Sequence, residues 1–176
     1  MIIQKPVPAF TPGRAFTPDV IVIHVGEGSQ QAIYNTFLTE DKSSHYCVSK
    51  AGEVWQFVDE KDTAWAQGLV VRPTSEIVKS RKGNPNGYCI SIENEGFGSK
   101  DFTVLQYVAL ASLVKDICAR WGIPIDREHV IGHREIRADK TCPGIASVDK
   151  VVALAKGSAS NADRIRALIK EIEKLL

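Results

Sequence analysis

The sequence predicts an α/β protein with a single domain, in which helices flank a mixed central β-sheet. Two observations support this prediction. A continuous apolar run rich in β-branched residues at 20–25 is typical of a buried strand, and 88–93 is predicted to be another strand. Segments with helical spacing of apolar residues alternate with them along the chain, most clearly at 104–121. The 176 residues are enough for one domain with a sizeable core.

The N-terminal segment up to Pro18 is predicted to be an extended arm lying on the surface, because it contains four of the eight prolines. The apolar run at 20–25 follows and is predicted to be a buried central strand. Residues 26–28 break this run, and Ser29 can then cap a helix that extends to about Thr39.

The middle of the chain combines a hairpin signal with a long polar stretch. Residues 46–49 and 54–58 are strand-like, and the turn residues between them favour a β-hairpin. The stretch at 68–87 is polar and rich in Pro, Gly and Asn, so it is predicted to be a long loop. Loops of this length in compact domains are often functional. The strand predicted at 88–93 follows this loop.

Two helices and one short strand complete the predicted domain. Apolar residues recur at helical spacing over 104–121, and Gly122 stops that helix. Residues 130–131 are predicted to form a short strand that ends at His133. A helix at 147–156 is predicted to pack over the sheet.

The C-terminal end carries a separate amphipathic segment. We predict one domain at 1–156 and an appendage at 157–176, in which residues 157–160 form a short linker and Asn161 caps a last helix. The apolar stripe of that helix comprises Ile165, Leu168, Ile169, Ile172, Leu175 and Leu176. Such a stripe must be buried, either against the parent domain or in a helix–helix contact that makes a homodimer.

Composition and charge give no indication of a nucleic-acid or membrane partner. The formal net charge is +1, so no strong field indicates binding to nucleic acid or to an anionic membrane. No run of about 18 apolar residues predicts a membrane span. The first residues lack the basic and apolar regions of a secretory signal, so the chain is expected to be made in the cytoplasm.

Two histidines and one cysteine form a candidate metal site. His24 and His133 each lie at the carboxyl end of a predicted buried strand, where sites gather in open α/β sheets. Cys142 follows in a polar loop that is long enough to fold back. Two imidazoles and one thiolate suit zinc, and three protein ligands leave a fourth position for water, as in catalytic zinc sites. We therefore predict a zinc site at one edge of the sheet.

These residues also have ordinary structural interpretations. A histidine at a strand end is commonly a hydrogen-bonded core or surface residue. His129 is a rival ligand, but on a strand it would lie about 13 Å from His133, too far to share a metal. For His45 the sequence leaves open a supporting role beside a ligand or a contact with a substrate. The other three cysteines fit buried free thiols, since no CxxC pair occurs. They are Cys47, Cys89 and Cys118.

Four stretches of the sequence resemble a known family. They read VIVIHVGEG, SSHYCVSKAGEVWQFVDEKDTAWAQG, GYCISIENEG and VIGHREIRADKTCPG, and they run from about residue 20 to residue 144. In order, spacing and flanking residues they resemble the type 2 N-acetylmuramoyl-L-alanine amidases. That family includes phage lysozyme-like amidases, bacterial wall-recycling amidases and peptidoglycan recognition proteins.

The resemblance implies roles for particular residues. It makes His24, His133 and Cys142 the zinc ligands. Lys140 matches a family lysine that stabilises the oxyanion, and Glu93 matches the glutamate that acts as general base in the wall-recycling branch. Burial of Glu93 would raise its proton affinity, which suits that role.

Other positions indicate which branch of the family the chain resembles. The phage lysozyme-like branch has a tyrosine where Ser44 stands here, so the chain resembles the branch that uses glutamate. Glu95, on the same predicted strand face as Glu93, is the second choice for the base. Beside Trp65, which matches a family tryptophan, Ala66 replaces a histidine found in several relatives. The residues predicted to contact substrate are His45, Trp65 and Arg137.

The implied function is zinc-dependent hydrolysis of the amide bond between N-acetylmuramic acid and L-alanine, with bacterial peptidoglycan or a muropeptide as partner. A phage or prophage endolysin or an autolysin, acting on the cell wall after release, is the preferred expectation. A cytoplasmic recycling enzyme also fits. The rival interpretation is a recognition domain that binds peptidoglycan without cleaving it. Loss of the cysteine ligand would be the sign of that class, and Cys142 is present.

Overall fold

The structure is a computed structural model that describes residues 1–157. The predicted C-terminal helix and the dimer contact assigned to it lie outside the described residues, so the division of the chain after residue 156 stays a prediction. Within residues 1–157, no helix is both long and apolar enough to cross a membrane.

Strands and helices alternate along the described part of the chain. The strands are β1 (Ile2–Gln4), β2 (Phe10–Thr11), β3 (Val20–Ile23), β4 (Tyr46–Val48), β5 (Val54–Gln56), β6 (Thr63–Ala64), β7 (Cys89–Asn94) and β8 (Val130–Gly132). The α-helices are α1 (Gln30–Thr39), α2 (Glu76–Ser80), α3 (Val104–Trp121) and α4 (Val148–Ala155). Short 3-10 turns lie at Pro85–Gly87 and His133–Glu135.

Six strands form a mixed sheet in the order β1-β5-β4-β7-β3-β8, which confirms the predicted fold class. Strand β3 pairs in parallel with both β7 and β8, and β4 also pairs in parallel with β7. The predicted hairpin is present, since β4 and β5 are antiparallel. Because β4, β7, β3 and β8 run in one direction, their carboxyl ends meet at one edge of the sheet. That edge carries the candidate site.

Helices cover both faces of the sheet. Ile21 and Ile23 of β3 point to the face on which α3 and α4 pack. Val20 and Val22 point to the opposite face, where Val78 of α2 joins the core. All four residues of β3 are fully buried, and burial of each such side chain stabilises the fold by roughly 1.5–3 kcal/mol. The strand that precedes His24 is therefore fully buried, with β7 and β8 as its neighbours in the sheet.

Local capping chemistry sets the helix boundaries that the sequence predicted. The Ser29 hydroxyl accepts a hydrogen bond from the backbone N–H of Ala32 at the start of α1. Thr103 and Gln106 form a capping box at the start of α3. Gly122 ends α3 in the left-handed conformation, at φ 69°, which glycine adopts without steric penalty.

Two predictions about the connections were wrong. The N-terminal segment is not only a surface arm, because β1 pairs in parallel with β5 and both Val7 and Ala9 are buried. Strand β1 ends before the first proline, so its backbone N–H groups remain available for pairing. The stretch at 68–87 is not a single loop, since α2 and a 3-10 turn interrupt it.

Candidate active site

The structure brings together the three residues predicted as metal ligands. The ligand atoms of His24, His133 and Cys142 all lie within 4.8 Å of one another. His24 directly follows β3 and His133 directly follows β8, and because these strands are parallel neighbours the ring centroids are 4.5 Å apart. Cys142 reaches them from a loop, where its Sγ accepts a hydrogen bond from the backbone N–H of Val25 at 3.0 Å.

The loop that carries Cys142 is held against the sheet by backbone contacts. The carbonyl of Cys142 accepts a hydrogen bond from the N–H of Arg134, and the N–H of Ile145 donates to the carbonyl of Gly98. Gly144 has a φ of 70°, and a Cβ there would collide with the backbone of Gly98. The close approach of these two glycines fixes where the loop crosses the end of the sheet.

Burial favours the neutral form of both histidines. Desolvation lowers the pKa of His24 well below its ordinary value, and the neighbouring His133 lowers it further. Desolvation also lowers the pKa of His133. Burial and the charge of Glu93 raise the pKa of the Cys142 thiol, whereas a bound cation would favour the thiolate. Neutral imidazoles have a free lone pair, which metal binding requires.

The hydrogen bonds around the cluster fit a zinc ion. The ring nitrogen Nε2 of His133 lies 3.0 Å from the carbonyl oxygen of Gln67, which can only accept, so Nε2 carries the proton and Nδ1 keeps its lone pair. The buried Nε2 of His24 has no hydrogen-bond partner among residues 1–157. Two imidazoles and a cysteine are a donor set that zinc prefers. The cluster can therefore hold a metal ion.

Glu93 lies beside this cluster, near the end of β7. Its Oε1 is 3.9 Å from Nδ1 of His24, and its buried Oε2 has no hydrogen-bond partner within the described part of the chain. Desolvation raises the pKa of Glu93 to about 8, while Lys42 lowers it and Glu27 raises it. A carboxyl group with a pKa near neutrality can both accept and donate a proton.

Glu95 has a different environment from Glu93, although both were candidates for the base. Its Oε2 accepts a hydrogen bond from the backbone N–H of Lys50 at 2.9 Å, on the exposed side of the strand end. Glu95 does not contribute to the wall of the cavity that Glu93 faces. The geometry therefore favours Glu93.

An open cavity of about 450 Å³ lies over the cluster. Glu93, the three candidate ligands and Lys140 all line it. Lys140 reaches the cavity because it lies on the same loop as Cys142, two residues earlier. The remaining wall is formed by Val25, Gly26, Glu27, Ile33, Thr36, Phe37, Lys42, Ala66 and Thr141. The candidate ligands, the carboxyl group of Glu93 and the ammonium group of Lys140 thus share one space.

His45 is not part of this cavity. Its side chain is buried, and its Nδ1 accepts a hydrogen bond from the backbone N–H of Ser91. Its Nε2 lies 3.2 Å from the carbonyl oxygen of Asp62, and burial with the nearby Arg14 charge lowers its pKa to about 3. The predicted substrate contact by His45 is therefore corrected to a structural role in the core.

The other two predicted substrate contacts lie near the cavity but not in its wall. The indole Nε1 of Trp65 donates to the hydroxyl of Thr11, while the adjacent Ala66 lines the cavity. Arg137 pairs with Asp139, with Nη2 2.8 Å from Oδ2. Neither position tests a contact with a bound substrate, so both stay predictions.

The sequence pattern did not indicate Lys42 or Glu27, which also line the cavity. Lys42 lies in a charged turn after α1 that resembles an ordinary surface turn. Glu27 has a φ of 52°, and its carboxylate accepts a hydrogen bond from the N–H of Gly98. A positive φ at a residue other than glycine marks local constraint, but a sequence does not show backbone angles.

Comparisons with known proteins agree with this geometry. The family model described as N-acetylmuramoyl-L-alanine amidase matches residues 14–145. The 1,6-anhydro-N-acetylmuramyl-L-alanine amidase AmpD of Haemophilus influenzae is 29% identical over 96 residues. That alignment covers 53% of this chain and 47% of the relative, so the chain matches about half of the relative's length.

Solved structures share the fold. A selenomethionine derivative of AmpD superimposes with a TM-score of 0.71 at 22% identity, covering 87% of this chain and 93% of the other. The endolysin amidase LysCS from Clostridium intestinale gives 0.64 at 17% identity, covering 89% and 95%.

Escherichia coli AmiD, solved in complex with anhydro-N-acetylmuramic acid-L-Ala-D-gamma-Glu-L-Lys, gives a TM-score of 0.59 at 28% identity, covering 69% of this chain and 50% of that one. The family match covers more than half of the chain and contains all three candidate ligands, Glu93 and Lys140. The chain therefore belongs to the N-acetylmuramoyl-L-alanine amidase family.

Proposed function

We propose that this protein hydrolyses the amide bond between N-acetylmuramic acid and L-alanine, using a zinc ion held by His24, His133 and Cys142. The observation that carries the proposal is the cavity in which these three residues and Glu93 meet. A zinc ion bound there supplies Lewis-acid activation of water and polarisation of the scissile carbonyl.

Glu93 is the proposed general base. Its unpartnered Oε2 belongs to a carboxyl group on the cavity wall, next to His24. Burial raises the pKa of Glu93 to about 8, so its ionised form is a stronger proton acceptor than an ordinary carboxylate. In that form the group can take a proton from the attacking water and then deliver it to the leaving amine of L-alanine. A fully solvated carboxylate, with a pKa of about 4.3, would be a weaker base for this transfer.

Lys140 is the proposed oxyanion-stabilising group. It lines the cavity from the loop that also carries Cys142, so one loop brings a cation and a candidate ligand to the same space. A positive charge aimed at the oxygen of the scissile carbonyl becomes more valuable as negative charge develops there. Lys140 would thus lower the barrier rather than only tighten binding.

The proposed substrate is a muropeptide or the peptidoglycan from which it derives. Support comes from the AmiD complex, which contains an anhydromuropeptide, and from the AmpD relative, which is a 1,6-anhydro-N-acetylmuramyl-L-alanine amidase. A cavity of about 450 Å³ falls in the size range of small-molecule sites. The finer proposal is an endolysin or autolysin that acts on the intact wall. Cleavage of intact peptidoglycan would distinguish it from a recycling enzyme, which acts on wall fragments.

Mass spectrometry of the reaction products tests the proposal. The zinc-loaded protein is incubated with an anhydromuropeptide and, separately, with purified peptidoglycan. We expect a free lactyl carboxylate and a free L-alanine amine to appear together, and no such products after chelation of the metal. Binding of the muropeptide without cleavage would contradict the proposal and support the recognition-domain alternative.

A further inference from the structure

The orientation of the His133 ring depends on a backbone carbonyl from a distant part of the chain. Its Nε2 donates to the carbonyl oxygen of Gln67 at 3.0 Å, and both residues are buried. This bond selects the tautomer that leaves Nδ1 with a lone pair. If the carbonyl moved away, the selection of tautomer and ring orientation would weaken.

The carbonyl of Gln67 belongs to a segment outside any strand or helix, between β6 and α2. Regular backbone pairing therefore does not explain why it stays in place. The Oδ1 atom of Asn86 accepts hydrogen bonds from two successive backbone N–H groups, that of Ala66 at 3.1 Å and that of Gln67 at 2.8 Å. One side-chain oxygen thus anchors the two peptide N–H groups that precede the carbonyl of Gln67 along the chain.

Asn86 is itself firmly held. It lies in the 3-10 turn Pro85–Gly87, only 7% of its surface is exposed, and its N–H donates to Oδ1 of Asn84 at 3.0 Å. The turn leads directly into β7, the strand that carries Glu93. A rigid element thus connects the proposed base strand to the wall segment at Ala66, which lines the cavity.

We propose that Asn86 is a positioning residue for the metal centre, which orients the His133 ring through the backbone of Gln67. The inference rests on the metal centre of the proposed function. Asn86 touches neither the candidate ligands nor the cavity, so its effect is indirect. Outer hydrogen bonds of this kind typically change metal affinity by about 10–100-fold.

The full-length protein with Asn86→Ala, Asn86→Asp or Asn84→Ala provides the test. Asn86→Ala removes the acceptor, and Asn86→Asp keeps an oxygen in the same place. Asn84→Ala is the matched control, because it loosens the same turn and leaves the bonds to Ala66 and Gln67. We expect Asn86→Ala to raise the dissociation constant for Zn²⁺ by about 10–100-fold. Asn86→Asp and Asn84→Ala should remain close to the unaltered protein.

A second readout follows the His133 ring directly and needs neither metal nor catalysis. Two-bond ¹H–¹⁵N spectra of the metal-free protein report which ring nitrogen carries the proton. We expect the Nε2-protonated tautomer in the unaltered protein and a mixture of tautomers in Asn86→Ala. An Nδ1-protonated ring in the unaltered protein would overturn the proposal even if no variant folds. Unchanged zinc affinity and tautomer in a folded Asn86→Ala protein would overturn it as well.

The two proposals fail in different ways. A protein that binds zinc tightly but cleaves no muropeptide would refute the proposed function, while the zinc affinities and ring tautomers would still decide the role of Asn86. Amidase activity combined with an unchanged His133 tautomer in Asn86→Ala would leave the function intact and remove the positioning role.

Discussion

The Oε1 atom of Glu93 lies 3.9 Å from Nδ1 of His24, in a pocket where both side chains are largely removed from water. Desolvation acts on the two groups in opposite directions, raising the pKa of the acid and lowering that of the base. A protonatable carboxyl group therefore stands beside a neutral imidazole with a free lone pair. That combination suits Glu93 to the proposed proton-transfer role and His24 to the proposed ligand role.

Glu93→Gln tests the proton-transfer role. The substitution is nearly isosteric but removes the proton acceptor, so we expect hydrolysis to slow by on the order of 10²–10⁴ while zinc content is unchanged. Steady-state rates and metal analysis of the same sample measure both quantities. Glu95→Gln is the matched control and should be close to normal. The reverse pattern, a fast Glu93→Gln and a slow Glu95→Gln, would transfer the role to Glu95.

Lys140→Ala tests charge stabilisation in the transition state. We expect kcat to fall by roughly 10²-fold or more with a smaller change in KM, because the developing oxyanion gains more from the ammonium group than the ground-state carbonyl does. Lys115→Ala, on the exposed face of α3, serves as the surface control. A rise in KM with unchanged kcat would show that Lys140 only positions the substrate.

Gly144→Ala tests the contact between Gly144 and Gly98, which supports the loop that carries Cys142. A Cβ at this position would collide with the backbone of Gly98, so the loop that carries Cys142 must shift. Gly122→Ala is the control, since Gly122 has nearly the same φ but open space around it. In both variants the free energy of unfolding should fall by about 1–2 kcal/mol, because alanine is strained in the left-handed conformation. Only Gly144→Ala should also weaken zinc binding. Equal zinc affinity in both variants would contradict this account of the loop.

Glu60→Gln tests what stabilises the fold away from the cavity. Its carboxylate accepts hydrogen bonds from Tyr46, Arg120 and Trp121, at distances that include 2.7 Å from the tyrosine hydroxyl and 2.6 Å from the indole. Burial alone would raise the pKa of Glu60, but these bonds outweigh it and lower the pKa. We expect Glu60→Gln to lower the free energy of unfolding by about 1–3 kcal/mol at pH 7.

The same group predicts a pH dependence. The pKa of Glu60 is lower in the folded than in the unfolded state. Its contribution to the free energy of unfolding is therefore fully present when the pH is above its pKa in the unfolded chain. That contribution is lost as the pH falls through the folded value. Urea unfolding should therefore show the difference between unaltered protein and Glu60→Gln shrinking below about pH 4.5. Glu128→Gln, an exposed surface change, should show little difference at any pH. A Glu60→Gln difference that grows in acid would contradict the assignment.

The parts of the fold that were predictable depend on local chemistry. Ser29 and Gly122 mark a helix start and a helix end through their own backbone preferences, so neighbouring sequence was sufficient. The apolar run of β3 likewise predicts a buried strand without reference to its partners. Strand β1 was missed because it pairs with β5, about 50 residues later, and short segments carry no local signal of such pairing.

The candidate site divides in the same way. His24 and His133 could be chosen as candidate ligands because each directly follows a strand with a recognisable apolar pattern. The role of His45 could not, since it depends on Ser91 and Arg14, which come from distant segments. Asn86 also gave no signal of its own, because its proposed positioning role depends on the two N–H groups that the folded chain brings to its oxygen.

The most direct test measures zinc content and muropeptide hydrolysis in the same samples. We expect one zinc per chain, loss of metal and activity together on chelation, and recovery of both when zinc is added back. His24→Ala, His133→Ala and Cys142→Ala should each abolish activity and weaken zinc binding, whereas the matched Cys118→Ala should retain both. Full hydrolytic activity in protein shown to be free of metal would contradict the account.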